Sequence, residues 1–136
     1  MLITLSQEEG RLPVTVMKLH GDLDSQSYTE VIREAQAAYE AGARRLALDL
    51  GKVPFISSAG LMAVHTVALI FGGNAVQAGA GGRPSNRAID PQKDSAARLC
   101  VKLVSPQPRV AQVLDTVGLS QFFETFGDVE SAVASF

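Results

Sequence analysis

Residues 46–71 read LALDLGKVPFISSAGLMAVHTVALIF, and this stretch decides the fold that we predict. Residues 46–50 form a short, nearly continuous apolar run, which is typical of a central strand covered on both faces. After Pro54, the side chains of Ser57 and Ser58 are good caps for a helix whose apolar residues recur at helical spacing. A strand, a turn with two serines and a helix start therefore lie together.

The chain before this stretch predicts a hairpin and a helix. Residues 13–20 are rich in β-forming side chains, and residues 2–6 could pair with them. Apolar residues then recur at helical spacing as far as Gly42, which is placed to end the helix, and Asp24 or Ser25 would cap its start. A strand, a helix and a strand in this order make a parallel crossover unit.

The chain after this stretch returns to the same alternation. Residues 99–104 predict a strand, and Pro108 opens a helix that Gly118 is placed to end. A short strand near residues 122–126 and a last helix from Asp128 complete the chain. The sequence therefore predicts an α/β fold, a mixed and mostly parallel sheet with helices packed on it.

Length and composition predict one domain. The 136 residues are 46% hydrophobic and 19% charged, as in an average soluble globular domain. We expect a single domain over residues 1–136, with a glycine- and proline-rich insertion at about residues 72–97 that forms a surface loop.

Charge and cysteine usage exclude several classes of function. The net charge is −2 and no stretch concentrates basic residues, so nucleic acid is not expected as a direct partner. The longest apolar run, residues 61–71, is too short to cross a bilayer, and the start of the chain lacks a signal-peptide pattern. The single cysteine, Cys100, permits no internal disulfide. We expect a cytoplasmic protein without membrane insertion.

Several motifs resemble those of one family. Gly21-Asp22-Leu23-Asp24 resembles the Gly-x-Leu-Asp turn of STAS domains, and residues 49–61 resemble their signature around a phosphorylated serine. Residues 103–106, 109–110 and 114–119 are similar to the closing strand and helix of the same family. The resemblance covers nearly everything except the insertion and implies a STAS-like fold.

The resemblance also implies a function. In anti-sigma-factor antagonists the serine aligned with Ser58 is phosphorylated by an anti-sigma factor that is itself a serine kinase. The unphosphorylated chain would bind this kinase and the phosphorylated chain would release it, until a serine phosphatase resets the switch. Many relatives have an aspartate where this chain has Ser57, which makes Ser57 the second choice of acceptor. The chain would be a substrate, not an enzyme, and would need no cofactor.

The predicted partner surface combines two loops at the carboxyl ends of neighbouring strands, where working groups gather in such sheets. The helix after Ser58 is apolar around most of its circumference, so either the insertion covers its outer side or it docks a partner, with Met62 as an adaptable contact. The predicted partner-binding residues are Asp22, Asp24, Ser25, Ser57, Ser58, Gly60, Leu61 and Met62.

Other interpretations stay open beside this one. The serine pair could be an ordinary helix cap, and the chain could be a STAS scaffold or ligand-sensing module whose serine is never phosphorylated. A hydrolase of Ser58, His65 and Asp49 is disfavoured because seven helical positions, roughly 10.5 Å, separate the serine from the histidine. His20 and His65 are too far apart for a metal site, so none is predicted. Cys100 is expected inside a strand with low reactivity.

Overall fold

The computed structural model describes residues 1–72 and 100–136, in which five strands form one sheet. Its spatial order is the chain order, β1-β2-β3-β4-β5. The first pair is antiparallel and the other three pairs are parallel. The predicted mixed, mostly parallel sheet is confirmed. The strands are β1 Leu2–Glu9, β2 Pro13–His20, β3 Leu46–Lys52, β4 Val101–Val104 and β5 Thr125–Phe126.

Helices follow β2, β3, β4 and β5, as the alternation in the sequence predicts. None of the helices in the described part of the chain is long and apolar enough to cross a membrane. These helices are α1 Tyr28–Glu40, α2 Ser58–Phe71, α3 Pro108–Thr116, α4 Leu119–Phe122 and α5 Val129–Ala134.

Alternate side chains of each strand point to opposite faces of the sheet. The two faces are buried by cores of unequal size. Leu46, Leu48 and Leu50 of β3 belong to the larger core, which also contains the buried residues of α1, α2 and α3. Each fully buried leucine contributes about 2 kcal/mol of transfer free energy to this core. Ala47, on the other face, belongs to a small cluster closed by α5.

A lysine side chain is buried at the smaller cluster. Lys102 of β4 is only 4% exposed, and its ammonium group donates to the carbonyl oxygen of Ser135 at 3.0 Å and to its hydroxyl at 2.9 Å. Glu124 lies 3.8 Å away and the ring of Phe136 lies 4.6 Å away, so the charge is paired and partly shielded by an aromatic face. These contacts hold the end of the described chain against the central strands.

Helix α1 starts later than predicted. Its first residue is Tyr28 and its N-cap is Ser27, so the prediction of Asp24 or Ser25 as cap is wrong. The cause is a preceding turn, in which the carbonyl oxygen of Asp24 accepts the Tyr28 N–H at 2.9 Å. Asp24 therefore shapes the turn before the helix without capping the helix.

The end of α1 is where the sequence places it. Gly42 has φ +114°, a left-handed conformation that glycine adopts without a Cβ penalty. Its N–H donates to the carbonyl oxygen of Tyr39, and the N–H of Ala43 donates to that of Ala38. This pair of bonds is the Schellman arrangement, which satisfies carbonyl groups that the helix leaves unpaired.

Two predicted boundaries in residues 100–136 need correction. Cys100 is half-buried and helical, and β4 begins only at Val101. The prediction that Cys100 lies inside a strand is therefore wrong. The predicted strand at residues 122–126 is also too long. Its first residue ends α4, where the rings of Phe122 and Phe123 pack edge to face with centroids 4.9 Å apart, so only Thr125–Phe126 joins the sheet.

The predicted insertion at residues 72–97 falls almost entirely outside the described residues. Gly72 is described and is the C-cap of α2. The insertion and the single-domain extent of residues 1–136 therefore stay predictions.

Candidate functional site

Two loops meet at the carboxyl edge of the sheet. The first loop, residues 21–27, follows β2, and the second loop, residues 53–57, follows β3. The N–H of Gly21 donates to the carbonyl oxygen of Lys52 at 3.0 Å, which joins the loops where they leave the strands. The predicted juxtaposition of the two loops is therefore present.

The main chains of the two loops stay paired beyond the strands. The N–H of Leu23 donates to the carbonyl oxygen of Phe55 at 3.0 Å, and the N–H of Ser57 donates to that of Leu23 at 2.9 Å. Leu23 thus makes a parallel bridge with Ile56. The loops form a short continuation of the sheet, with a fixed backbone on both sides.

This pairing sets which side chains face outward. Leu23 and Ile56 are buried, and neighbouring side chains on an extended chain point to the opposite side. Asp22 therefore lies beside Phe55 on the outer face, and its residue is exposed. Asp24 lies beside Ser57 in the same way, and both are half-buried. Asp24 and Ser57 therefore occupy neighbouring positions on the two paired loops.

The first loop is organised by Ser27, a residue that the sequence reasoning missed. Its hydroxyl donates to the carbonyl oxygen of Asp22 at 2.8 Å and accepts from the N–H of Asp24 at 3.1 Å. The side chain of Asp24 also accepts the Gln26 N–H at 2.9 Å. Ser27 is buried, whereas Ser25 is exposed. The available signal was a serine directly before the first helical residue.

Ser57, the last residue of the second loop, and Ser58, the first residue of α2, have different environments. Ser57 is the N-cap of α2, and its side-chain oxygen accepts the Gly60 N–H at 3.3 Å. Ser58 is the first helical residue and is exposed, and within residues 1–72 and 100–136 no hydrogen bond occupies its hydroxyl. The capping alternative therefore applies to Ser57, and the accessible hydroxyl belongs to Ser58.

Gly60 differs from the other predicted partner-binding residues because it is buried. A Cβ atom at this position would lie 2.3 Å from the carbonyl oxygen of Leu23 and 2.7 Å from Cγ1 of Ile56. Only glycine lets the first turn of α2 approach the first loop this closely. The observed role of Gly60 is to bring the two loops together, and its burial keeps it from the outer surface.

The apolar helix α2 is covered along most of its length. Leu61, Met62 and His65 are half-buried, whereas residues 66–71 are buried. A docking surface on this helix is therefore limited to its first two turns, next to Ser58. The alternative that the insertion covers the outer side concerns residues outside the described part of the chain and stays a prediction.

A third loop, after β4, is tied to the end of β3 and to the chain at and after β5. The side-chain amide of Gln107 donates to the carbonyl oxygen of Gly51 at 3.0 Å. Ser105 holds a positive φ of 49°, its N–H donates to the carbonyl oxygen of Phe126 at 2.7 Å, and its hydroxyl donates to that of Gly127. These residues were absent from the predicted site, because a lone glutamine and serine give no local signal for such distant partners.

The structure opposes a catalytic triad. Asp49 alternates along β3 with Leu48 and Leu50, which belong to the core beneath α2, so its side chain points to the other face of the sheet. Its carboxylate accepts the Gly51 N–H at 2.9 Å. Among the described residues, no three histidine, cysteine or acidic side chains are grouped so as to hold a metal ion.

Comparison with solved structures defines the class of fold. The sheet order and its helices match those of anti-sigma factor antagonists, as the STAS resemblance implies. A proposed anti-sigma factor antagonist from Thermotoga maritima is 14% identical, with a TM-score of 0.69, and the match covers 96% of this chain and 90% of that one. No protein-family model and no curated protein sequence matches the chain.

Three further structures share the fold. The anti-sigma factor antagonist SpoIIAA, in its unphosphorylated form, is 15% identical, with a TM-score of 0.53 over 97% of this chain and 94% of that one. The Bacillus SpoIIAA in its phosphorylated form is 15% identical, with a TM-score of 0.54 over 97% of this chain and 96% of that one. A sulfate transporter family protein from Wolinella succinogenes is 13% identical, with a TM-score of 0.59 over 89% of this chain and 82% of that one.

Proposed function

We propose that this chain is an anti-sigma-factor antagonist, a binding module switched by phosphorylation of Ser58. Unphosphorylated, it binds an anti-sigma factor that is a serine kinase, and after phosphorylation it releases this kinase. A serine phosphatase restores the binding form. The chain supplies the acceptor hydroxyl and the interface in the cytoplasm, and the kinase supplies nucleotide and magnesium. It is therefore not an enzyme.

The observation that carries the proposal is the exposed hydroxyl of Ser58 on the first residue of α2. A kinase must reach its acceptor oxygen, and Ser58 is exposed whereas the Ser57 oxygen is used as the helix cap. The adjoining first loop carries Asp22 and Asp24, and Ser27 fixes its backbone. Ser58 is thus the favoured acceptor.

Charge explains how the modification would release a partner. A phosphoserine carries roughly −1.5 to −2 charges at pH 7, and it would join the carboxylates of Asp22 and Asp24 on this surface. The start of α2 tolerates the phosphate because the dipole and unpaired N–H groups of a helix N-terminus favour anions. The helix stays folded, while an interface covering Ser58 would have to desolvate the added charge. A loss of about 3 kcal/mol corresponds to roughly two decades in affinity.

Phosphosite mass spectrometry tests the acceptor. Wild-type protein, Ser58→Ala and Ser57→Ala are each incubated with ATP and the anti-sigma serine kinases of the same genome, whose activity is verified on a second substrate. We expect one phosphoryl group on Ser58 in the wild type and in Ser57→Ala, and none in Ser58→Ala. Modification of Ser57 alone would reassign the acceptor, and no modification of either serine would contradict the switch.

Binding to the same kinase tests the release. Isothermal titration calorimetry should give an affinity at least tenfold weaker for the Ser58-phosphorylated protein than for the unphosphorylated protein. Treatment with a serine phosphatase should restore the original affinity. Equal affinities of the two forms would contradict a phosphorylation-controlled interface even if Ser58 is modified.

A second candidate is a STAS scaffold or ligand-sensing module that is never phosphorylated. Two observations favour it: Ser57 stands where many relatives carry aspartate, and the same fold occurs in the Wolinella succinogenes protein of the sulfate transporter family. Fold alone does not define function. This candidate predicts partner binding that is insensitive to Ser58→Ala and no phosphate on either serine.

A further inference from the structure

Five large apolar side chains of the described residues are exposed. Three of them lie on the hairpin of β1 and β2 and one follows α3. All four are outside the two loops, although Leu2 pairs with His20, the residue before the first loop. Phe55 is the aromatic one among those identified in the described residues, and it lies in the second loop, three positions before Ser58. The residues in question are Leu2, Leu5, Leu12, Phe55 and Val117.

The backbone of Phe55 is fixed although its side chain is 43% exposed. Its carbonyl oxygen accepts the Leu23 N–H at 3.0 Å. Val53 and Ile56 on either side are buried in the core, at 0% and 3% exposure. The backbone that carries the ring is therefore held by a hydrogen bond between the loops and by buried neighbours. The ring is presented to solvent on a rigid support.

Rigidity and aromatic character together are typical of a binding anchor. A preorganised aromatic side chain contributes large contact area with little loss of conformational freedom, and aromatic residues are enriched among the residues that dominate binding energy. The exposed Asp22 lies beside Phe55 across the bridge between the loops. A complementary partner surface has an apolar pocket for the ring and basic groups at the rim facing this carboxylate.

We propose that Phe55 is the apolar anchor of the partner interface and inserts into such a pocket of the anti-sigma kinase. This inference rests on the proposed function, because it assigns the contact that the kinase makes at the same site. Phosphorylation of Ser58 then acts next to the anchor, where a charge must be desolvated when the ring is seated.

The test compares Phe55→Ala with Val117→Ala, a control that removes another exposed apolar side chain, 52% exposed, outside the two loops. Affinity for each anti-sigma serine kinase of the same genome is measured by calorimetry with the unphosphorylated full chain. Thermal denaturation verifies that both variants fold, and Phe55→Leu serves as a second variant that keeps an apolar group.

We expect Phe55→Ala to weaken binding at least tenfold, Phe55→Leu to weaken it less, and Val117→Ala to match the wild type. A loss of threefold or more for Phe55→Ala, confined to that position, supports the anchor. A smaller loss, or an equal loss for Val117→Ala, overturns the anchor and leaves the proposed function intact. Absence of wild-type binding to every kinase overturns both.

Discussion

The carbonyl oxygen of Leu23 occupies the space where residue 60 would carry a side chain. A Cβ atom added to Gly60 would lie 2.3 Å from this oxygen, closer than real Cβ atoms approach other heavy atoms. The contact joins the first loop to the first turn of α2. It therefore fixes the position of the first loop, which carries Asp22 and Asp24, relative to the start of α2.

We expect Gly60→Ala to destabilise the protein. The added methyl group would displace backbone, and such overpacking typically costs about 1–3 kcal/mol, more than the roughly 1 kcal/mol that alanine gains over glycine in a helix. Urea denaturation measures the free energy of unfolding. Gly127→Ala is the matched control, because a Cβ at Gly127 would meet nothing within 4 Å. Equal stability of the two variants would show that the loop can move away freely.

Ser57→Ala and Ser58→Ala should differ in their effect on the free energy of unfolding. Ser57→Ala removes the cap that accepts the Gly60 N–H, and loss of a helix cap costs about 1 kcal/mol. Ser58→Ala removes an exposed hydroxyl and should change the free energy of unfolding by less than about 0.5 kcal/mol. Chemical denaturation of both variants checks this order. A larger loss for Ser58→Ala would contradict the assigned cap.

Ser27 should support the first loop from inside. Ser27→Ala removes the hydroxyl that bonds to the Asp22 carbonyl and the Asp24 N–H, and at about 1 kcal/mol for each bond we expect a loss of roughly 2 kcal/mol. Amide hydrogen exchange should become faster for Asp24. Ser25→Ala is the control, since Ser25 is exposed. If both variants exchange like the wild type, the hydroxyl does not order the loop.

Asp128 should contribute to the acid sensitivity of the fold. Its pKa is lowered from 3.8 by the hydrogen bond from the Ser131 N–H, at 2.7 Å, across the start of α5. A lowered pKa stabilises the folded state above the unfolded pKa, and this contribution is lost as the pH falls through the folded pKa. The melting temperature of Asp128→Asn, which keeps a capping oxygen, should therefore lie below that of the wild type at pH 6, with the difference shrinking below about pH 4.

The measurement is a series of melting temperatures from pH 6 to pH 2 for both proteins. Other carboxyl groups titrate in the same range, but they are common to the two proteins and cancel in the difference. A difference that stays constant over the whole range would mean that the Asp128 carboxylate carries no titrating contribution to stability.

Features with a local cause could be predicted from the sequence. The bounds of β2, the helix stops at Gly42 and Gly118, and the start of the last helix next to Asp128 each depend on residues a few positions apart. The strand at residues 122–126 was predicted too long, because the packing of Phe122 and Phe123 into the core overrides their β-propensity.

The candidate site was predictable in outline and not in detail. Parallel strands bring their carboxyl ends to one edge, so Asp24 and Ser57 could be expected to lie close together. The support given by Ser27 and by Gln107 depends on hydrogen bonds to backbone atoms, one of them 56 positions away. The tight approach of Gly60 to Leu23 likewise depends on the packing of two segments that are far apart in the sequence.

The pairing of the two loops through Leu23 uses main-chain atoms, so it places few demands on the outward side chains. Asp22 and Phe55 can be exchanged without removing the main-chain hydrogen bonds that pair the two loops. Duplicated copies of such a chain could therefore diverge in partner choice by changing a few outward residues while the scaffold is inherited unchanged. Insulation between related signalling pathways is then a matter of side-chain identity at a handful of positions.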